Sequence, residues 1–303
     1  MKKLRTVLSL FDGMSCGQIA LVELGVEFDK YYASEIDANA INHTQANFPT
    51  TIQLGDVEKW REWDIDWSSV DLILAGSPCQ GFSLVGKQLN FNDPRSKLFW
   101  VFVEILEYTK TKNPSVLFLL ENVRMREQYV SIISNAVRVY PICINSNLVS
   151  AQHRIRYYWT NIRTKYNHGL GIDIVDIPQP EDRSIFIKDI LDYDENRRYL
   201  TKYDNRGYIL KSDRRVYSEK YKANGFVMLP TAKAFPVTCG HGELGTKTLV
   251  NNRVCMFTIR ELLRLQTIPD WYSFTITKFN PATKLIGNAW TVEVIKHILS
   301  YLP

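Results

Sequence analysis

Thr6-Val7-Leu8-Ser9-Leu10-Phe11-Asp12-Gly13-Met14-Ser15-Cys16-Gly17 is the stretch that decides the fold. Residues of β-type character run into a turn bearing two glycines, and a helix-period segment, 18–24, follows. A glycine turn between strand and helix lets a ligand approach the backbone N–H groups at the helix start. It can equally do no more than pack a helix tightly on a sheet. The surrounding sequence discriminates between the two.

Outward from this turn, 30–34, 70–75 and 116–120 are further strand candidates, rich in Val, Leu, Ile, Tyr and Phe and bounded by turn residues. Leu98, Val101, Phe102, Ile105 and Tyr108 repeat at helical spacing between them. Strands alternating with helices imply βαβ units, hence an α/β fold: a parallel sheet with helices on both faces and ligands at the carboxyl ends of its strands. Three consecutive strand ends carry Gly or an acid. They are the 11–17 turn, then Glu35-Ile36-Asp37, whose Glu35 stands 18 residues beyond Gly17, then Gly55-Asp56-Val57, read as the end of a third strand. One acid at a strand end is usually a cap; three such ends point to a nucleoside cofactor whose ribose hydroxyls an acid can accept.

The sharpest feature is Gly76-Ser77-Pro78-Cys79-Gln80-Gly81-Phe82-Ser83, directly after 70–75. A cysteine at the tip of a buried strand, stiffened by Pro78, is placed as a nucleophile. The next strand ends Leu120-Glu121-Asn122-Val123, which brings a carboxyl group to the same rim. Nucleophile and carboxyl beside a nucleoside site form a catalytic constellation, although each alone would more often be structural.

Composition bounds the rest. The 303 residues are 45% hydrophobic and 23% charged with 15 Gly and 12 Pro, which predicts a soluble globular chain with one large lobe and a smaller companion. The apolar run after Met1-Lys2-Lys3 stops at Asp12, short of a signal-peptide core, and no run approaches a membrane span of ~20 residues, so a cytoplasmic protein is expected. Five widely spaced cysteines without a C-x-x-C pair argue against disulfides and a structural zinc, and no metal is expected. The net charge of +5 is mild, but 196–222 holds nine Lys or Arg against three Asp or Glu, interspersed with tyrosines. Such a stretch is a solvated surface or a nucleic-acid contact face. Order returns at 258–265, where Thr258-Ile259-Arg260-Glu261 has the form of a capping box, and an amphipathic helix over 291–302 closes the sequence.

These motifs resemble, in order and over nearly the whole chain, those of the DNA (cytosine-5) methyltransferases: the 11–17 turn, Glu35, Asp56, Pro78-Cys79-Gln80, Glu121-Asn122-Val123, Gln152-His153-Arg154-Ile155-Arg156, Arg260-Glu261 with Leu265-Gln266, and Gly287-Asn288-Ala289. The resemblance fades between about 160 and 236, where the family places its variable target-recognition region. Ser15-Cys16 stands where the family usually has Gly-Gly. That variation, with Ser77, Ser83-Leu84-Val85 and Trp290, is similar to the animal de novo branch. No regulatory region precedes the motifs, so a bacterial or phage enzyme is expected, in the bacterial cytosol or an infected cell and associated with the nucleoid.

The resemblance implies a Rossmann-like S-adenosylmethionine-dependent sheet with a smaller target-recognition domain. Residues 1–160 plus 259–303 would form the catalytic domain and 161–258 the recognition domain. Cys79 would attack cytosine C6, Glu121 would act at N3 and the exocyclic amine, Arg156 with Arg154 nearby would bind the O2 side, and Gln152 would support them. Phe11, Asp12, Gly13, Gly17, Glu35, Ile36, Asp56, Val57, Pro78, Asn288 and Ala289 would bind S-adenosyl-L-methionine, releasing S-adenosyl-L-homocysteine. The partner would be double-stranded DNA, met by a monomer, with a companion restriction endonuclease where the enzyme serves a restriction-modification system. The target base would flip out of the duplex, 81–95 would close over it, and Val85 would wedge into the gap. Three other readings compete. They are a cytosine methyltransferase acting on transfer RNA, an inactive DNA-binding regulator, and a nicotinamide dehydrogenase, which would have no use for Pro78-Cys79 beside Glu121.

Overall fold

The computed structural model describes residues 3–77, 97–192, 199, 209–212, 215–217, 227–239, 247–251 and 253–303. They divide into two units, one of Met1–Ile144, Ile155–Gln179 and Ile295–Pro303, the other of Asn145–Arg154 and Pro180–Val294.

The first unit is built on seven strands: β1 (Leu4–Leu10), β2 (Phe28–Ser34), β3 (Ile52–Gln53), β4 (Val70–Ala75), β5 (Leu117–Val123), β7 (Ile142–Asn145) and β8 (Ile155–Thr160); β6 (Val139–Tyr140) lies in a separate sheet. The order is β3-β2-β1-β4-β5-β8-β7. Pairing among β3, β2, β1, β4 and β5 is parallel, and β8 runs antiparallel to β5. The chain winds outward from β1 in one direction to β3 and then in the other from β4 to β5. This reversal between β1 and β4 opens a crevice at their carboxyl ends, where open α/β sheets bind ligands.

Helices α1 (Cys16–Glu23), α2 (Ala38–Asn47), α3 (Lys97–Lys112) and α4 (Glu127–Val137) belong to the same unit. Leu72, Ile73, Leu74 and Ala75 of β4 have no solvent exposure, the near-continuous apolar run of a strand covered on both faces. On α3 the inward stripe is Phe99, Val101, Phe102, Ile105, Leu106 and Thr109. It keeps Val101, Phe102 and Ile105 of the expected stripe, with Leu98 partly buried beside them, but Tyr108 is 38% exposed and packs its ring against Trp60 and Trp67. The third strand also departs from expectation, since β3 ends at Gln53 and Asp56 caps the 3-10 turn Val57–Glu62. A hairpin of β9 (Thr164–Asn167) and β10 (Ile172–Val175) joins β6 in the small sheet.

The second unit holds β11 (Ile209–Ser212), β12 (Arg215–Tyr217), β13 (Val227–Met228), β14 (Lys247–Val250) and β15 (Arg253–Met256) as one five-stranded sheet. Val227, Val254 and Met256 form its apolar centre, with Leu229, Leu249 and Phe279 packed on them. Then come α5 (Ile259–Leu265) and α6 (Phe279–Asn288), and the closing helix α7 (Val292–Leu299) begins here but belongs to the first unit from Ile295 onward. The expected capping box is present: Thr258 Oγ1 accepts from Glu261 N–H, and Glu261 Oε2 accepts from Thr258 N–H. Among the described residues no helix is long and apolar enough to cross a membrane.

Candidate active site

Three residues of the turn after β1 adopt left-handed backbone angles: Phe11 (φ 57°), Gly13 (φ 57°) and Ser15 (φ 59°). Glycine accepts that region freely, whereas Phe and Ser are strained there by about 1–3 kcal/mol each. This is the position where Ser15 replaces the glycine common in the family. The serine hydroxyl donates to Gln18 Oε1 (3.1 Å), which also accepts from Thr51 Oγ1 (2.9 Å), so a buried polar contact offsets the strain. Gly17 is buried in the first turn of α1.

Glu35, at the end of β2, clamps this turn. Its Oε2 accepts from Gly13 N–H (2.9 Å), and its Oε1 accepts from Ile36 N–H (2.7 Å) and Asp37 N–H (2.8 Å). A carboxylate has about four acceptor positions, so one remains for an incoming hydroxyl. Ile36 stands 76% exposed beside it. The Asp12 carboxylate receives the Tyr31 hydroxyl on Oδ1 (3.0 Å), while its Oδ2 is closed off from solvent without a hydrogen-bond partner. Burial pushes the Asp12 carboxyl up to about 6, against the pull of the Ser9, Ser15 and Tyr31 hydroxyls. Asp56 Oδ1 accepts from Glu58 N–H (3.0 Å) as a helix cap, and Val57 is buried in the core.

The second group lies at the ends of β4, β5 and β8. Arg156 pairs across the β5–β8 ladder with Val123 and reaches diagonally to Glu121, with Nε to Oε1 at 2.8 Å. Their side chains are only 15% and 11% exposed. Asn122, pointing to the opposite face by the strand's two-residue period, donates its amide to Ser77 Oγ (3.1 Å) and Ser77 O (3.4 Å). Ser77 is the last described residue before Pro78 and Cys79, which lie outside the described residues together with 81–95 and Val85. Asn122 thus ties the end of β5 to the segment that leads to Cys79, a contact that residue types alone did not reveal; its signal was its place between Glu121 and Val123 at a strand end.

Arg154 and Arg156, two letters apart, are used differently. Arg154 is 3% exposed, and its guanidinium donates to Val237 O (2.9 Å), Gly287 O (3.0 Å) and Ala289 O (3.0 Å) within the second unit. Gln152 donates there to Gln266 Oε1 (2.9 Å) and accepts from Val237 N–H (3.2 Å). Asn288 is exposed and Ala289 buried at the end of α6. Among the described residues no group of His, Cys, Asp and Glu converges in a way that could hold a metal.

A strand order reversing between β1 and β4, an acid clamping the turn after β1 and a carboxylate–arginine pair beside the exit of β4 define a Rossmann-like methyltransferase. The chain belongs to the C-5 cytosine-specific DNA methylase family, whose model matches residues 5–302. It is similar to the type II methyltransferase M.HaeII of Haemophilus aegyptius, with 30% identity over 98% of this chain and 92% of that protein. It is also similar to the type II methyltransferase M.DsaV of Dactylococcopsis salina, with 26% identity over 99% and 88%. Among solved structures it shares its fold with the methyltransferase EhMeth of Entamoeba histolytica (TM-score 0.72, 15% identity, 99% and 98% of the two chains). The Dnmt2 methyltransferase of S. pombe has the same fold (TM-score 0.68, 17% identity, 99% and 98%). The chain is thus a DNA methyltransferase that acts at C5 of cytosine.

Proposed function

We propose that this enzyme methylates a cytosine flipped out of double-stranded DNA at a specific sequence, through a covalent bond between Cys79 and C6. The observation that carries this reading is the Glu121–Arg156 pair, held by adjacent strands beside the β4 exit that leads through Ser77 to Cys79. Cytosine C5 is a poor nucleophile. Addition of the Cys79 thiolate to C6 makes C5 enamine-like, C5 takes the methyl group, and loss of the C5 proton expels the thiolate. Arg156 occupies Glu121 Oε1, which leaves Oε2 for N3 and the exocyclic amine, while the guanidinium faces charge developing on the ring.

S-adenosylmethionine, when bound, supplies the methyl group from its sulfonium. The residues of the β1–β2 rim fit such a molecule. Glu35 has an acceptor left for a ribose hydroxyl, and exposed Ile36 offers an apolar face to a base. A Cβ at Gly13 would meet nothing within 4 Å, so its backbone is open to a ligand, and Asp12 Oδ2 is an unmet acceptor for a cationic group. Phe11, Gly17, Asp56, Val57, Pro78, Asn288 and Ala289 complete the proposed cofactor set.

Target choice is assigned to the smaller domain, 161–258, and to its basic segment above all. The similarity to type II methyltransferases supports a place in restriction-modification, where an endonuclease of the same specificity would be the companion; the methyltransferase is proposed to work as a monomer. The test is incubation with S-adenosylmethionine and duplex DNA, single-stranded DNA or transfer RNA, followed by mapping of 5-methylcytosine. Duplex methylation at one motif is expected, together with a denaturation-resistant adduct on DNA carrying 5-fluorocytosine. Label only in transfer RNA, or undiminished turnover by Cys79→Ser, would overturn the reading.

A further inference from the structure

The end of α6 is held by an unusual density of buried polar contacts. One guanidinium nitrogen of Arg154, Nη2, donates to Gly287 O and Ala289 O, the carbonyls on either side of Asn288. The other, Nη1, donates to Val237 O. Gln266 Nε2 adds bonds to Ile286 O (2.9 Å) and Ala289 O (3.2 Å). Gln266 Oε1 is itself fixed by Gln152 and by Thr291 Oγ1 (3.0 Å). Backbone packing closes the arrangement: a Cβ on Gly287 would come within 2.6 Å of both Cys239 N and Thr238 C. In the midst of this the Asn288 side chain is exposed, while Gly287 and Ala289 are buried.

From this arrangement we infer that Arg154 is a positioning residue, which sets the direction of the exposed Asn288 side chain by clamping the two carbonyls that flank it within the second unit, and that it makes no contact with the target base. The inference rests on the reading of Asn288 as a cofactor residue. A planar guanidinium can bridge three carbonyls at once; a lysine ammonium, a compact point charge on a flexible stem, cannot hold them in one geometry. The division of labour between neighbours follows. Arg156 faces the chemistry with Glu121, and Arg154 braces the turn.

Titration calorimetry of S-adenosylmethionine against Arg154→Lys, Asn288→Ala, Gly287→Ala and the double variant Arg154→Lys/Asn288→Ala tests this. Asn288→Ala and Arg154→Lys are each expected to weaken cofactor binding about tenfold, and the double variant by no more than about twofold beyond the weaker single, because both act on one element. At saturating cofactor, Arg154→Lys should keep its KM for DNA and its yield of 5-fluorocytosine adduct. Gly287→Ala displaces the same turn from the other side and should give the same pattern, which keeps the inference testable should Arg154→Lys fail to fold. Unchanged cofactor affinity in folded Arg154→Lys, or a loss confined to kcat at saturating cofactor and DNA, would overturn it. Unchanged affinity in Asn288→Ala alone would remove the cofactor reading of this turn, and the inference with it.

Discussion

Asn122 donates its side-chain amide to the hydroxyl of Ser77, so the carboxyl ends of β5 and β4 are tied together two residues before Cys79. The same asparagine accepts from Val123 N–H (2.8 Å), which fixes its amide orientation. Asn122→Ala should leave Ser77 buried without this donor and destabilise the protein by about 1–3 kcal/mol. If the tie also aims the nucleophile, kcat should fall by as much as about 100-fold with KM for DNA and cofactor little changed. Single-turnover kinetics beside urea unfolding separate these effects, and a variant with wild-type kcat would limit Asn122 to packing.

The Glu121–Arg156 pair should respond unequally to an isosteric change of the acid and a truncation of the arginine. Glu121→Gln keeps the shape and one hydrogen bond but removes the acid, so kcat should drop by about 100-fold or more while the chain stays folded. Arg156→Ala leaves a largely buried carboxylate without its partner, and a stability loss of about 3–5 kcal/mol should accompany the loss of activity. Thermal melts and methyl-transfer rates on both variants check the order.

At the β2 end, Glu35→Ala should weaken cofactor affinity by roughly 1.5–3 kcal/mol and also loosen the turn after β1, because three N–H groups lose their acceptor. Asp56→Ala removes a cap, with a stability cost of about 1 kcal/mol, and should weaken cofactor binding to a similar degree as Glu35→Ala. Calorimetry that found cofactor affinity unchanged in both would remove the nucleoside site from this rim.

Asp12 predicts a pH dependence of stability. Its folded carboxyl titrates at about 6, above the ordinary value of about 4, so between those values the folded state binds more protons than the unfolded one. The contribution of this group is therefore most favourable below about pH 4 and is lost as the pH rises through about 6. Asp12→Asn removes the titration. The stability of the wild type relative to this variant should fall between about pH 4 and pH 7, as read from urea midpoints; parallel profiles would show that Asp12 does not titrate in that range.

Recognition is expected to reside in the basic segment. Arg197, Arg198, Lys202, Arg206 and Arg214 lie outside the described residues, and Lys211 and Arg215 fall on β11 and β12. Loss of a phosphate contact should weaken binding on all sequences and flatten the salt dependence, whereas loss of an Arg–guanine contact should relax one position of the motif by about 1–3 kcal/mol. Methylation motifs of alanine variants across 197–222 make the comparison. A motif altered by changes in 81–95 and by none in 197–222 would move recognition to that loop.

Of the first sheet's seven strands, β1, β2, β4 and β5 were legible, the last two and β1 because they are largely buried on both faces and end in turn residues. The capping box at Thr258 was legible because its two partners are three letters apart. Helix α6 was not: Asn280-Pro281 at its start reads as a turn, although proline is tolerated in a first helical turn, where its missing N–H has no acceptor to serve. Nor could the letters tell Arg154 from Arg156. Alternate residues of a strand share a face, but β8 begins at Ile155, so Arg154 escapes the pleat and turns to carbonyls more than eighty residues away in sequence. Hydrogen bonds of that span leave no local period to read. The hairpin of β11 and β12 was hidden for a different reason, since Lys211, Asp213, Arg214 and Arg215 mask any alternation.

The antiparallel pairing of β8 with β5 makes the acid–arginine pair a discrete switch of alignment. The exposed turn at Arg138, between α4 and β6 in the connection 124–154, can lengthen or shorten as surface loops do, so long as Val123 still faces Arg156. A shift by one residue would carry Arg156 to the far side of the sheet and leave Glu121 alone. Chain-length variation at that turn should accordingly yield either full chemistry or none, with no graded series between.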